Sequence, residues 1–208
     1  MPAKPFLRIL YNILELTRLR SLVIDYLERK FIDDDTVGIA FVYCNYKEDQ
    51  PMEMLLGSLV QQLVQRSSDI SPELRTLYDT QGWKRTGPTV SELSTLLQSE
   101  VRSFSRVYIL VDALDECNDY NNTRQNLLVQ FQKLASARIF ITSRPHITDV
   151  HTYFETYSEL EVRASDDDIR AYALERISIQ SRISRLVQED KLLSDEILQS
   201  IVTTANGM

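Results

Sequence analysis

An α/β fold, a parallel sheet flanked by helices, is predicted by three observations. Short apolar runs rich in Val and Ile alternate along the chain with longer segments whose apolar residues recur at helical spacing. The clearest run, Val107-Tyr108-Ile109-Leu110-Val111, ends abruptly in the carboxylates Asp112, Asp115 and Glu116. A similar run, Arg138-Ile139-Phe140-Ile141-Thr142, ends in Ser143-Arg144-Pro145. Apolar runs this short suit strands buried on both faces of a parallel sheet, where ligands collect at the carboxyl ends of the strands.

Residues 5–31 place Leu7, Leu10, Tyr11, Leu14, Leu22, Ile24, Leu27 and Phe31 at largely helical intervals, predicting one long helix or two in succession. Asp33, Asp34 and Asp35 make the turn into a strand over 37–43. Pro51 opens the next helix, where a missing N–H costs nothing; Met54, Leu55, Leu59, Leu63 and Val64 form its stripe, and it ends near Arg66. A helix over about 72–79 leads to a loop with Gly82, Trp83, Gly87 and Pro88, Trp83 serving as a local anchor. Ser91 caps a helix carrying Leu93, Leu96, Leu97 and Val101, which feeds the acid-tipped strand. A helix near 122–135 separates it from the Arg-tipped strand, and 160–162 is a last strand. Ser165 with Asp168 has the capping-box arrangement, ahead of Ile169, Tyr172, Leu174 and Ile177. Ser194 begins one more helix through Ile197, Ile201 and Val202.

The 208 residues, 43% of them hydrophobic, suffice for one sizeable α/β domain and part of a second. A net charge of −7 without a dense Lys/Arg run argues against a nucleic-acid surface, which needs clustered cations. Residues 1–20 interleave Arg8, Glu15, Arg18 and Arg20 with apolar positions, unlike a secretory signal, and no segment reaches the roughly 20 apolar residues of a membrane span. A reducing, cytoplasmic location is therefore expected. Cys44 and Cys117 are read as free thiols without a disulfide, and with His146 and His151 they form no metal-ligand spacing. Both histidines are read as ordinary surface or packing residues.

Acids after a core strand are most often a solvated loop. Here four contiguous apolar residues before Asp112, and the matching Arg-tipped run downstream, favour a site. Carboxylates at a strand tip suit a phosphate-bound Mg²⁺ and an attacking water.

The stretches Phe41-Val42-Tyr43-Cys44-Asn45-Tyr46-Lys47, Ile109 to Cys117, Thr142-Ser143-Arg144-Pro145 and Ala205-Asn206-Gly207-Met208 fall in an order that resembles the NACHT family of signalling P-loop NTPases. The likeness is to the fungal kind with a nephrocystin-3-like N-terminal nucleotide-binding domain, over roughly residues 21–208. The resemblance implies ATP and Mg²⁺ as cofactors. It makes Asp112 the Walker B acid that holds Mg²⁺ through water, Asp115 or Glu116 the group that orients the hydrolytic water, and Arg144 the sensor of the γ-phosphate. On position alone, a capping or surface ion-pair role for Arg144 is equally consistent.

One part of the family pattern is missing. None of the five glycines is followed by Lys, so Gly-x-x-x-x-Gly-Lys-Ser/Thr does not occur. The expected fold is thus a P-loop NTPase-like parallel sheet flanked by helices, lacking the first (Walker A) strand. That strand belongs, by resemblance, between the strands ending at Thr142 and near Val162; its absence leaves the apolar face of residues 5–20 or another chain to fill the gap, or else instability with aggregation. The expected domains are an atypical helical segment over 1–20, an incomplete nucleotide-binding core over 21–163, and the truncated start of a helical lid over 164–208. The expected function is a degenerate module with impaired ATP binding that acts through protein partners or self-association. The alternatives are an active NTPase whose loop comes from upstream sequence or a partner, and a non-catalytic α/β interaction domain.

Overall fold

A computed structural model describes residues 6–12, 16–81, 87–117, 121–144, 147, 149–162 and 165–206. Trp83, Pro145, His146 and the closing Gly207-Met208 lie outside the described residues. The described residues divide into two compact units, one made by 6–12 with 16–161 and the other by 162–206.

The first unit is built on a five-stranded sheet in the order β2-β3-β4-β1-β5. Its strands are β1 (Phe6–Asn12), β2 (Val37–Tyr43), β3 (Arg106–Asp112), β4 (Ala137–Ser143) and β5 (Tyr157–Val162). The pairs β2/β3, β3/β4 and β4/β1 are parallel, with Val111 beside Ile141 and Leu10 beside Thr142. Helices α1 (Leu16–Lys30), α2 (Met52–Arg66), α3 (Pro72–Gln81), α4 (Val90–Ser103), α5 (Thr123–Gln132) and α6 (Asp149–Tyr153) provide the connections and covers.

The N-terminal segment departs from expectation. Residues 6–12, expected to be helical, form β1 and lie between β4 and β5, the position assigned to the missing first strand. The helical spacing of Leu7, Leu10 and Tyr11 did not decide the outcome. A slot between two strands supplies backbone partners on both sides, and tertiary pairing overrides a local pattern. The gap is therefore filled by residues of the 5–20 segment, as a strand rather than as a helical face.

Both faces of the sheet are covered, as the apolar runs require. Val107, Ile109 and Val111 of β3 pack with Leu59 and Leu63 of α2, Leu97 of α4 and Phe131 just before the end of α5. The alternate Leu110 packs with Val37 and Ile39 of β2 and with Ile24 and Leu27 of α1. Successive strand residues thus face opposite layers. On β2, Gly38 has no room for a side chain: an added Cβ would lie 2.9 Å from Leu63 Cδ2 and 3.1 Å from both Phe104 Cδ2 and Val107 Cγ2.

Strand β2 lies at a sheet edge, and side chains satisfy its outer backbone groups. Gln62 accepts from the Phe41 N–H at 3.0 Å and donates to the Phe41 carbonyl at 2.8 Å. Gln50 does the same one turn on, accepting from the Asn45 N–H and donating to the Tyr43 carbonyl, both at 2.8 Å. Arg66 donates to the carbonyls of Val37 and Phe31, each at 2.6 Å. An edge covered this way is closed to a further strand.

Smaller corrections concern caps and stripes. Thr89, not Ser91, caps α4, in a capping box with Glu92, because its hydroxyl reaches the Glu92 N–H. Met54 is 47% exposed, and Met52, Leu56 and Val60 complete the stripe of α2 instead. In the second unit, α7 (Asp166–Ile179) starts at Ser165 in the expected box with Asp168 and is followed by α8 (Ser181–Glu189) and α9 (Lys191–Asn206). Tyr172 and Leu174, expected in the stripe of α7, are 43% and 47% exposed, while Ile169 and Ala173 are buried. Ile169 packs on Val202 of α9, and Arg170 donates to Gln199 at 2.8 Å.

Candidate functional site

The candidate site residues Asp112, Asp115, Glu116 and Arg144 lie at the carboxyl ends of β3 and β4. Asp112 closes β3, Asp115 and Glu116 sit in the 3-10 turn Leu114–Glu116 that follows, and Arg144 is the first residue after β4. Parallel pairing in register brings these tips side by side, next to the end of β1 at Tyr11, which pairs with Ser143.

Asp112 is buried, at 7% exposure. Thr142 holds it: the hydroxyl donates to Asp112 Oδ1 at 2.7 Å and accepts the Ala113 N–H at 2.9 Å. From the other side, the Asp112 carbonyl accepts the Cys44 N–H at 3.0 Å. A buried carboxylate needs such partners, and a hydroxyl that both accepts and donates fixes its rotamer. The motif Thr142-Ser143-Arg144 pointed to its arginine; the threonine's role shows only once the β3/β4 register is known.

Between Asp112 and the turn, Ala113 adopts the left-handed conformation at φ 53° and ψ 52°. For a residue with a Cβ this costs roughly 1–2 kcal/mol. The fully buried Leu114 wedges the turn beneath the strand ends, and the Glu116 N–H closes it onto the Ala113 carbonyl at 2.8 Å. The reversal lifts Asp115 and Glu116 to the rim instead of letting the chain run on as strand.

Asp115 and Arg144 form a two-point contact. Arg144 Nε lies 3.3 Å from Asp115 Oδ2, and the Arg144 backbone N–H donates to Oδ1 at 3.2 Å. The Asp115 side chain is 4% exposed and that of Arg144 61%, so the carboxylate is held within the fold while the guanidinium reaches into water. The ion-pair reading of Arg144 and its place at the strand tip are thus both realised. Glu116 is half-buried, and among the described residues its carboxylate makes no hydrogen bond or ion pair. His151 is exposed, as expected, and its Nδ1 lies 2.5 Å from the Tyr157 hydroxyl.

The two cysteines, unrelated in sequence, meet beneath the acidic turn. Cys44 follows the end of β2 and Cys117 ends the turn; both are buried, both are free, and their side chains are hydrogen-bonded to each other. That bond, then burial, then the nearby Cys117, Asp112 and Asp115 push the Cys44 thiol far above its ordinary range. Among the described residues, no group of three or more His, Cys, Asp or Glu could hold a metal ion by itself.

Strand β1 ends at Asn12 and α1 begins at Leu16. The intervening Ile13-Leu14-Glu15 contains neither glycine nor lysine.

A five-stranded sheet whose strands β2, β3, β4 and β1 run parallel, with helices on both faces and an acid-tipped strand beside an Arg-tipped one, defines a P-loop NTPase-like α/β domain. A family model, Nephrocystin 3, N-terminal, matches residues 17–144, and the chain belongs to that family. Strand β1 precedes the matched region. Among solved structures, the chain is similar to one in the structure of Drosophila ORC bound to DNA, at a TM-score of 0.51 and 13% identity, covering 97% of this chain and 49% of that one. It is also similar to a chain of Drosophila ORC bound to AT-rich DNA and Cdc6, at a TM-score of 0.47 and 10% identity over 96% of this chain and 74% of that one. A third similarity is to the Aeropyrum pernix ORC2 protein, at 0.44 and 12% identity over 85% of this chain and 46% of that one. The chain thus spans about half the length of two of these three chains. Among curated proteins there is no match. Among the described residues no helix is long and apolar enough to cross a membrane.

Proposed function

We propose that this chain is a NACHT-type module that keeps the metal- and water-handling side of a signalling NTPase, lacks its phosphate cradle, and acts through protein–protein association. The observation that carries the reading is the link from β1 to α1: three residues, Ile13-Leu14-Glu15, stand where the family needs a glycine-rich loop ending in Lys-Ser/Thr. Such a loop surrounds phosphates with backbone N–H groups, and its Lys meets the β and γ oxygens. Without it several charge-assisted hydrogen bonds, each about 1.5–3 kcal/mol, are lost together.

The acidic rim fits Mg²⁺ only as an ion carried by phosphates. Mg²⁺ keeps most of its waters and takes one or two carboxylates, which Asp112 and its neighbours supply; the remaining ligands would be phosphate oxygens. In this reading Asp112 holds the hydrated ion, and Thr142 keeps the carboxylate aimed. Asp115 is engaged by Arg144, which leaves Glu116 the better acceptor for a water. Arg144 would sense a γ-phosphate by leaving Asp115.

Association is supported by apolar side chains on the second unit: Ile179, Leu186 and Leu192 are 66%, 51% and 77% exposed. Nucleic acid is not part of the proposal, since the charge is −7 without a dense Lys/Arg run. The test is calorimetric titration of ATP–Mg²⁺ into the purified chain. No saturable heat is expected in the micromolar range; micromolar binding abolished by Asp112→Ala would contradict the proposal.

A second reading, an active NTPase, is favoured by the intact Asp112–Thr142 pair and by a strand in the first-strand position. Here upstream sequence or a partner supplies the loop. Transcript sequence upstream separates the two: an in-frame exon that places Gly-x-x-x-x-Gly-Lys-Ser/Thr just before Ser21, in place of the present N-terminal segment, would establish the active form.

A further inference from the structure

We propose that Cys44 and Cys117 are a dithiol–disulfide couple that, when oxidised, ties the edge strand β2 to the acidic turn after β3. The two thiols are in side-chain hydrogen-bond contact and share one apolar cluster with Leu114 and Val111. Each stands on a fixed backbone. The Cys44 N–H is bonded to the Asp112 carbonyl at 3.0 Å, and the Cys117 N–H to the Leu114 carbonyl at 3.1 Å. Gln50 anchors the chain on either side of Cys44, through Tyr43 and Asn45. The two cysteines are therefore in contact on elements whose backbones are themselves pinned, which brings the sulfurs to where a disulfide can close.

The reaction is exchange with a low-molecular-weight disulfide such as oxidised glutathione. One cysteine thiolate attacks the glutathione disulfide and releases one glutathione as thiolate, leaving a mixed disulfide. The second cysteine thiolate attacks the protein sulfur and releases the other glutathione. Two electrons pass from the cysteines to the glutathione pair, and the two protons lost by the cysteines are taken up by the two released thiolates. The new bond closes a loop of roughly 70 residues, so it also constrains the unfolded chain. Because the hydrogen bond with Cys117, burial and the neighbouring acids disfavour the Cys44 thiolate, exchange is slow, and the equilibrium position is the quantity to measure. The crosslink acts where Asp115 and Glu116 are presented, so thiol state and rim geometry are linked.

The experiment equilibrates the full chain in glutathione buffers of stepped redox ratio, quenches with an alkylating agent, and maps peptides by mass. The expected result is a peptide joining Cys44 to Cys117, lighter by two hydrogens, appearing in a single two-electron transition, together with a higher Tm for the oxidised chain. Cys44→Ser and Cys117→Ser should each lose the crosslinked peptide and the rise in Tm. The proposal is overturned if both cysteines are alkylated after equilibration in oxidised glutathione, or if they carry only glutathione or bonds between chains. Both outcomes are read on the wild-type chain and need no variant to fold.

Discussion

The Thr142 hydroxyl joins two strand tips, donating to Asp112 Oδ1 at 2.7 Å while accepting the Ala113 N–H at 2.9 Å. Replacing it with an isosteric apolar side chain leaves a buried carboxylate oxygen and a backbone N–H without that partner. Thr142→Val should lower stability by about 1–3 kcal/mol, whereas Thr142→Ser, which keeps the hydroxyl, should lose less. Urea unfolding of the two variants checks this; a larger loss in Thr142→Ser than in Thr142→Val would mean that packing of the methyl group, not the hydroxyl, matters.

The Asp115–Arg144 contact should contribute little to stability in spite of its two-point geometry. Arg144 is 61% exposed, so water screens the pair. A double-mutant cycle with Asp115→Asn and Arg144→Gln should give a coupling below about 1 kcal/mol. A larger coupling would show that the guanidinium is a structural clamp rather than a group free to leave for a phosphate.

Gly38 is a packing requirement of the β2/α2 interface. A methyl there would press on Leu63, Phe104 and Val107, the nearest contact being 2.9 Å. Gly38→Ala should destabilise by about 1–3 kcal/mol, and Leu63→Val should relieve part of that loss. Denaturant midpoints of the single and double variants measure it.

Much of this architecture was legible because the signals were local. The strand over 37–43 and the box at Ser165 and Asp168 follow from period and cap chemistry, and the acids and the arginine after two apolar runs marked the rim. What was not legible depended on partners distant in sequence. Residues 6–12 carry a helical pattern and become strand because a slot between β4 and β5 accepts them. Thr142 gains its role only from the β3/β4 register, and Cys44 meets Cys117 only because the end of β2 lies beside the turn after β3. Ala113 has no sequence signature for its positive φ, since the left-handed region is usually occupied by Gly or Asn.

Acid should loosen the start of α7. The Ser165 hydroxyl and backbone N–H hold the Asp168 carboxyl below its ordinary range. With the folded value depressed, the contribution is present above the unfolded carboxylate value and is lost as pH falls through the folded one. Amide exchange near residues 166–169 should accelerate as pH falls through the carboxylate range relative to the intrinsic rate, and Ser165→Ala, which removes the hydroxyl but keeps the backbone N–H, should weaken that pH dependence. An unchanged profile in the variant would remove the capping explanation.

The decisive measurement compares ATP–Mg²⁺ calorimetry of the chain as it stands with that of a chain in which Gly-x-x-x-x-Gly-Lys-Ser replaces Ile13-Leu14-Glu15 between β1 and α1. The account predicts no saturable binding before the graft, and binding after it that Asp112→Ala weakens. Micromolar binding by the unaltered chain would contradict it.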